Sequence, residues 1–426
     1  MTSVSVHGLG YVGLPTAALF TNEGFTVIGV DTDSERIELL RETGPTYEEV
    51  ELEAYVDQAL ESGRLTLTTT ATESEYHLIC VPTPFDEEAG RAVLTYVEQA
   101  ARNIEPHLRE GDTVILTSTS PPGTTEHVVG PALERGGLRA GVDFHLAHCP
   151  ETILPGSILH EIKHNDRIVG GIDEDSTASA AWLFETVTES TVHRAPDPST
   201  AEFVKLAQNT FRDTNIALAN ELAKVARDYD VDVRSSFALS NTHPRVSLLT
   251  PGPGVGGHCL PVDPHYLGQN SDSVELIECA RDVNDGMVDY VSEMLREALG
   301  TLSGSKIAVF GLAYKGNVDD ARNSPGERFA ETLLEEPPEL TADGGEQDIE
   351  VSAYDPYVTD SELELSDYES ALADADAVVI TTDHDEFADL VPDDFRDRMR
   401  GNVVIDTKWI LDADEWAEHG MRVEQL

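Results

Sequence analysis

Of the four cysteines in the chain, Cys259 stands in a setting unlike the other three. It follows PGPGVGGH, a run of Gly and Pro that ends in CLPVDP. A thiolate is a useful nucleophile only when it is accessible, and a cysteine on a Gly-rich loop is less shielded than one inside a strand. Cys80 and Cys149 lie in or at the end of apolar, strand-like runs, and Cys279 lies on a helical pattern beside Ile277 and Ala280, so core packing is expected for those three. Polar groups that could serve a thiol chemistry are within reach of the same reading. Lys205 and Asn209 fall at i and i+4 on one helical face and could stabilise a developing oxyanion. Asp263, four residues after Cys259, and Glu151, in CPE at a strand end, could handle protons. Taken singly, each of these is an ordinary solvated charge or cap. His258 beside Cys259 and His148 beside Cys149 do not suggest a metal, because adjacent residues point apart and no second spaced pair accompanies them.

The second chemical feature is GLGYVG, Gly8 to Gly13 with Tyr11 and Val12 between, which follows the first strand-like run and opens a helical one. In that setting Gly8 permits a tight turn, Gly10 lets the backbone approach a pyrophosphate, and Gly13 allows close packing of helix on strand. The free N–H groups of the helix start receive the phosphate charge. Asp31, 18 residues after Gly13, is placed to accept hydrogen bonds from the ribose hydroxyls of NAD and would repel the extra phosphate of NADP. Later strand-to-loop junctions border the same crevice, namely VPTPF at Val81 to Phe85 and STSPPGTT at Ser118 to Thr125. A nucleophilic cysteine beside NAD can capture an aldehyde as a hemithioacetal, which offers a second hydride to NAD and leaves a thioester for water to cleave.

The elements that must hold these residues alternate along the first half of the chain. SVSVHG, FTVIGVD, YHLICVP, DTVILTS and DFHLAHCP read as strands separated by helical patterns, which predicts a parallel sheet with helices on both faces. From about Ser199 apolar residues recur at helical spacing for about eight turns, as one long helix or a closely broken pair. SVELIECARDVNDGMVDYVSEMLREALG is a further long helical run closed by Gly300. The alternation then restarts with SKIAVFGLAYKG, VSAYDP, ADAVVITT and NVVIDTKW, and an acidic Pro- and Gly-containing loop decorates this part between Glu335 and Glu350. The expected architecture is α/β, with two Rossmann-like doubly wound domains, residues 1–198 and 304–426, joined by an all-helical segment, residues 199–303.

With 80 Asp and Glu against 28 Lys and Arg, the formal net charge is −52. A phosphate backbone or an anionic membrane would be repelled, which excludes nucleic acid and membrane surfaces as partners. The acids are spread over a scaffold of normal apolar content, so the chain is expected to fold, and such a balance suggests a salt-rich cytoplasm that screens self-repulsion. Unpaired, widely spaced cysteines and the absence of a signal-like or ~18-residue apolar segment point to a reduced, cytoplasmic, soluble protein.

GLGYVGLP, VPTP, STSPPGTT, CPE, FVKLAQNTFRD, GPGVGGHCLPVDP, GLAYKGNVDDARNSP and YDP occur in this order over nearly the whole chain. In them the sequence resembles the UDP-glucose/GDP-mannose dehydrogenase family, the NAD-dependent nucleotide-sugar 6-dehydrogenases. CPETILPG, NTFRDTNIALANEL and HPRV look most like members that oxidise UDP-N-acetylhexosamines, UDP-N-acetylmannosamine in particular. The resemblance implies oxidation of the sugar C6 alcohol to a carboxylate with two NAD⁺. It casts Cys259 as nucleophile, Glu151 as the acid or base of thioester hydrolysis, Lys205 and Asn209 as oxyanion stabilisers, and Asp263 with Thr119 as holders of the water. It implies NAD contacts at Gly8, Gly10, Tyr11, Val12, Gly13, Asp31, Arg36, Val81, Pro82, Thr83, Pro84, Thr119 and Arg322. For the UDP-sugar it implies Glu151, Thr152, Ile153, Leu154, Lys205, Asn209, Arg212, Pro253, Gly254, Gly256, Gly257, Tyr314 and Lys315, with Arg245 reaching a neighbouring subunit and a homodimer formed through the helical middle. The chain departs from the family at Pro155, where UDP-glucose members carry a second glutamate, at Ser120, where Val or Leu is usual, and at Lys408 in DTKW, where an arginine is usual.

Two readings compete with an oxidoreductase of this kind. A non-catalytic sensor of NAD and nucleotide sugar would have no use for Cys259, Lys205, Asn209, Glu151 and Asp263 together. A two-electron dehydrogenase would lack the cysteine. Within the leading chemistry, UDP-glucose, UDP-N-acetylglucosamine and GDP-mannose are the alternative substrates.

Overall fold

In the computed structural model, residues 2–44, 50–153, 156–336, 339–340 and 346–426 are described. The chain divides into two compact units, Met1–Gln208 with Pro264–Ser271, and Asn209–Asp263 with Asp272–Leu426.

The first unit is built on strands β1 (Ser3–His7), β2 (Thr26–Val30), β3 (Leu65–Thr68), β4 (Tyr76–Ile79), β7 (Thr113–Leu116), β8 (His145–His148), β9 (Arg167–Gly171) and β10 (Val192–Arg194), with a small hairpin of β5 (Phe85–Asp86) and β6 (Arg91–Ala92). The eight strands form one sheet in the order β10-β9-β8-β7-β4-β1-β2-β3. Strand order reverses direction between β1 and β4, and the crevice beyond the strand ends at such a switch point is where open α/β sheets bind ligands. The sheet is parallel throughout except where β8 meets β9, which runs antiparallel, a departure from the all-parallel expectation. β7 is buried at every position, TVIL, because both of its faces are covered. One face packs Val4, Val6, Ala17, Phe20 and Phe184, the other Val97, Ile104, Val114 and Leu146.

The second unit carries a five-stranded, wholly parallel sheet in the order β14-β11-β15-β16-β17. Its strands are β11 (Lys306–Phe310), β14 (Glu350–Tyr354), β15 (Ala377–Ile380), β16 (Val403–Asp406) and β17 (Arg422–Gln425), and a two-residue pair, β12 (Glu339–Leu340) with β13 (Glu346–Gln347), precedes β14. Within the acidic loop assigned between Glu335 and Glu350, residues 337–338 and 341–345 lie outside the described residues. Helices Met287–Leu299 and Pro325–Glu335 cover one face of the sheet, with Met287, Val291, Met294, Phe329 and Leu333 in the shared core.

Helix Pro198–Asp228 is unbroken over 31 residues, which settles the choice between one helix and a pair. The later helical run is instead two helices, Glu275–Asp285 and Met287–Leu299, that meet at Gly286. Glycine costs about 1 kcal/mol in a helix interior, which makes it the natural break point. Gly300 closes the second helix at φ +81°. Part of the acidic surplus serves local structure, since Asp33, Asp173, Asp232, Asp367 and Asp412 each accept backbone N–H bonds as helix N-caps.

Candidate active site

In the first unit the glycine turn has the shape its spacing predicts. Gly8 sits at φ +94°, and a Cβ there would lie 2.5 Å from the Cys80 carbonyl oxygen. A Cβ on Gly13 would lie 1.8 Å from the Gly8 carbonyl oxygen, so the helix Gly13–Asn22 starts as close to β1 as a backbone allows. Gly10 differs from both, because a Cβ there would meet nothing within 4 Å. Its backbone faces open space, as approach by a pyrophosphate requires. Asp31 directly follows β2, with one carboxylate oxygen accepting from Leu9 N (2.8 Å) and the other from Asp33 N (3.0 Å). Arg36 reaches back to the Leu9 carbonyl at 3.3 Å. Tyr11 is exposed and Val12 half-buried at the helix entry.

The loops after β4 and β7 are tied together beside this turn. Ser118 Oγ donates to the Val81 carbonyl and Thr83 Oγ1 to the Thr119 carbonyl, each at 2.7 Å. The hydroxyl of buried Tyr266 donates to the Thr83 carbonyl, and Phe85 stacks on His265 at 5.1 Å. Pro82 and Pro84 flank Thr83 and limit this loop's freedom. Ser120, the family departure, is buried with no hydrogen-bond partner for its hydroxyl among the described residues.

After β8, Glu151 is buried and points one carboxylate oxygen at Arg167 Nη1 (2.7 Å) while the other accepts from Thr152 N (2.8 Å). Arg167 is itself only 2 % exposed and also donates to the Ile162 carbonyl. Burial pushes the nearby Cys80 and Cys149 thiols up to about 12, with the Glu151 charge adding to the rise. Ile153 is buried beside Glu151; Leu154 and Pro155 lie outside the described residues. Lys205 is half-buried on helix Pro198–Asp228, one turn before Asn209.

In the second unit, Cys259 is exposed, and so is Cys279, against the core packing expected of it, because helix Glu275–Asp285 buries Ala280, Arg281 and Asn284 instead. Its carbonyl accepts from Asp263 N at 2.9 Å, and the Asp263 carboxylate accepts from Asn209 Nδ2 at 2.5 Å. The Gly-rich loop before it is held from two sides. Gly252 N donates to Asn220 Oδ1 (2.9 Å), Asn220 Nδ2 to Asn284 Oδ1 (2.9 Å), and Asn284 Nδ2 to Asp213 Oδ1 (2.9 Å), where Arg281 also binds at 2.7 Å. On the other side, a Cβ on Gly256 would lie 2.7 Å from the Asn323 carbonyl oxygen, and one on Gly257 2.9 Å from the Tyr314 ring. Close approach is thus required here by GLAYKGNVDDARN itself. Pro253 is buried in this loop, while Gly254 adopts φ +138° over the Asn284 carbonyl.

The loop of Tyr314 and Lys315 is shaped by Asp355 of YDP. Its carboxylate accepts from Leu312 N (2.6 Å), Ala313 N (2.9 Å) and His384 Nε2 (2.9 Å). His384 Nδ1 accepts from Asn317 N at 2.9 Å, so Nε2 carries the ring proton. Burial alone would raise the Asp355 carboxyl, but His384 and the N–H groups of Val358 and Tyr357 together hold it below its usual range. The Tyr314 phenol is pushed up to about 12 by burial and by Asp320 and Cys259. Arg322 is exposed, forks onto Asp320 at 2.9 and 2.5 Å, and accepts Gly257 N on its carbonyl at 2.8 Å. Lys408 pairs with Asp383 at 3.3 Å and approaches the Gly252 position. Arg212 and Arg245 are exposed.

The sequence reading missed Arg167, Glu202, Tyr266 and the Asn220–Asn284–Asp213–Arg281 network. The signal available for them was weak: charged or amide residues falling on the apolar face of a strand or helix. Among the described residues, no group of three or more His, Cys, Asp or Glu side chains is placed to hold a metal ion, and no helix is long and apolar enough to cross a membrane.

Comparison with known proteins accounts for the whole arrangement. Residues 2–188 match the NAD binding domain of the UDP-glucose/GDP-mannose dehydrogenase family, residues 199–286 its central domain, and residues 308–413 its UDP binding domain. The chain is 39% identical to the UDP-N-acetyl-D-mannosamine dehydrogenase of Methanocaldococcus jannaschii, over 99% of this chain and 96% of that one. It is 37% identical to the NDP-N-acetyl-D-galactosaminuronic acid dehydrogenase of Ralstonia solanacearum, over 97% of each. The solved UDP-D-ManNAc dehydrogenase of Pyrococcus horikoshii superposes with a TM-score of 0.89 at 40% identity, covering 96% of both chains. The dinucleotide-shaped turn at Gly8 to Gly13, the UDP binding domain and this full-length likeness have one explanation: the chain belongs to the UDP-glucose/GDP-mannose dehydrogenase family and is an NAD-dependent dehydrogenase of nucleotide sugars.

Proposed function

We propose that the protein oxidises the C6 alcohol of a UDP-N-acetylhexosamine, UDP-N-acetylmannosamine in particular, to the uronate through a thioester on Cys259. The observation that carries this reading is the contrast among the thiols. Cys80 and Cys149 are buried with their thiols pushed up to about 12, and Cys279, though exposed, lies within helix Glu275–Asp285, whereas Cys259 is exposed at the end of a glycine loop braced from two sides. Full-length likeness to UDP-N-acetyl-D-mannosamine dehydrogenases supports the choice of sugar. The same chemistry on UDP-glucose, UDP-N-acetylglucosamine or GDP-mannose is the alternative.

NAD, held by the Gly8 to Gly13 turn, Asp31, Arg36 and the Val81 to Pro84 and Thr119 loops, supplies the oxidising power when bound. The remaining work falls to side chains. The Cys259 sulfur bonds to the C6 aldehyde carbon, its proton passing to the former carbonyl oxygen, and Lys205 and Asn209 stabilise the charge on that oxygen. Oxidation of this hemithioacetal leaves a thioester. Water placed by Asp263 and Thr119 cleaves the carbon–sulfur bond, Glu151 takes up the proton, and the thiol returns with release of the carboxylate. The Asn209 bond to Asp263 supports a shared role for these two at the cysteine. Thr152, Ile153, Leu154, Arg212, the Pro253 to Gly257 loop, Tyr314 and Lys315 complete the sugar-nucleotide contacts in this reading.

The reading includes a homodimer in which Arg245 reaches the neighbouring site. Phe211, Leu218 and Val225, seven residues apart on helix Pro198–Asp228, are 67, 47 and 43 % exposed and form an apolar seam suited to a second copy. It also includes a cytoplasm rich in salt, which the net charge of −52 supports.

The test is stoichiometric. Purified protein in high salt with NAD⁺ and a panel of UDP- and GDP-sugars is expected to form two NADH per sugar consumed and a uronate product. One NADH with a stable aldehyde sinks the mechanism. Cys259→Ser is expected to abolish uronate formation while leaving NAD binding intact.

A further inference from the structure

Glu202 is a carboxylate with a setting that a surface residue would not have. It sits on helix Pro198–Asp228, three residues before Lys205, and is 1 % exposed. Among the described residues no cation pairs with it. Its charge is met instead by three donors on the loop after β7: Gly123 N at 2.5 Å on one oxygen, and Thr125 N at 2.8 Å and Thr125 Oγ1 at 2.6 Å on the other. Thr125 N opens the helical segment Thr125–Val129, which Gly130–Leu133 continues, and Gly123 N immediately precedes its N-cap Thr124, where free backbone donors favour a negative charge. A second bond joins the same two pieces, Ser199 Oγ to Glu126 at 3.2 Å.

The loop so anchored runs back through Gly123, at φ +94°, to Thr119. The Thr119 carbonyl in turn holds Thr83, whose carbonyl holds Tyr266. Hydrogen bonds and the short stretch of backbone from Gly123 to Thr119 therefore connect one buried carboxylate to both loops assigned to the cofactor. A buried, cation-free carboxylate costs stability, and a neutral Asn or an apolar contact would brace a loop more cheaply.

We propose that Glu202 is a positioning residue whose ionised carboxylate fixes the 118–125 loop, with Thr119, against the helix that carries Lys205, and so sets how firmly NAD is held. The proposal rests on the assignment of Thr119 to the cofactor made above. Burial pushes the Glu202 carboxyl up to about 7, Glu126 on the capped segment adding to the rise against the pull of the three donors. Its ionisation is therefore expected to respond to pH near 7. All three facing groups donate to the carboxylate, so protonation removes the charge that strengthens their bonds and adds an O–H that must find its own acceptor.

The experiment compares KM for NAD and kcat from pH 6 to 8.5 in wild type, Glu202→Gln, Glu202→Ala and Thr119→Ala, each checked for a cooperative melt. Wild type is expected to show KM for NAD rising as pH falls through about 7. Glu202→Gln, which keeps an acceptor for Thr125 but turns an amide N–H₂ toward Gly123, is expected to raise KM a few-fold and to lose that pH dependence. Glu202→Ala is expected to raise KM by about tenfold, with a smaller fall in kcat, on the scale of lost bonds to a charged group. Should Glu202→Ala not fold, the flattened profile of Glu202→Gln decides. A Glu202→Gln profile that tracks wild type while Thr119→Ala raises KM overturns the clamp alone. An unchanged KM in Thr119→Ala removes the cofactor assignment and the clamp with it.

Discussion

Arg167 Nη1 lies 2.7 Å from a carboxylate oxygen of Glu151, and both side chains are buried, at 2 and 7 % exposure. Removing one member of such a pair strands the other charge away from water, at a cost of about 3–5 kcal/mol. Arg167→Met is therefore expected to destabilise the first unit by that amount in urea unfolding, and Arg167→Met with Glu151→Gln to recover much of the loss. Additive single effects in the double-mutant cycle would show that the pair is not coupled.

The thiols separate by environment. Native protein treated with an aromatic disulfide reagent at pH 8 is expected to label Cys259 and Cys279 quickly, because both are exposed, and to spare Cys80 and Cys149, whose buried thiols are pushed up to about 12. Full labelling of all four should require denaturant. Mass spectrometry of the modified peptides checks the assignment.

Stability should fall on acidification through a specific trio. His77 is lowered to about 4 and His148 to about 3, chiefly by burial, and His7, which lies 3.3 Å from His77, is also lowered well below its ordinary value by burial and by its neighbour. Above pH ~6.5 these rings are neutral in both states and contribute no slope. Below it the unfolded chain takes up protons that the folded chain refuses, so unfolding becomes easier from about pH 6.5 down toward 4 and beyond. Thermal melts of His148→Phe against wild type should show a shallower acid slope for the variant between pH 6.5 and 4.

Glycine substitutions should divide folding from cofactor binding. Gly10→Ala adds a Cβ that meets nothing within 4 Å, so its melting temperature is expected to match wild type while KM for NAD rises by about tenfold or more. Gly257→Ala places a Cβ 2.9 Å from the Tyr314 ring at φ +79°, and is expected to cost about 1–3 kcal/mol. Gly63→Ala, at φ +71° with open space around it, isolates the backbone strain from the clash.

What the amino-acid order determined by itself is everything that depends on local pattern. The Gly8 to Gly13 spacing dictates a turn, the alternation of strand and helix runs dictates parallel sheets, and Cys259 is marked by the glycines and prolines around it. Side chains that act through distant partners were a matter for the tertiary structure. Nothing local marks Arg167 or Glu202 in the sequence, and only folding places one against Glu151 from 16 residues away and the other against Gly123 and Thr125 from 79 and 77 residues away. Asn220 likewise gains its meaning from Gly252, 32 residues on. The glycines of the cysteine loop show both levels at once. Their presence announces a close backbone approach, but that Tyr314 and Asn323 make the approach is decided by chain packing, because no local rule selects which distant atom fills the space a Cβ would need.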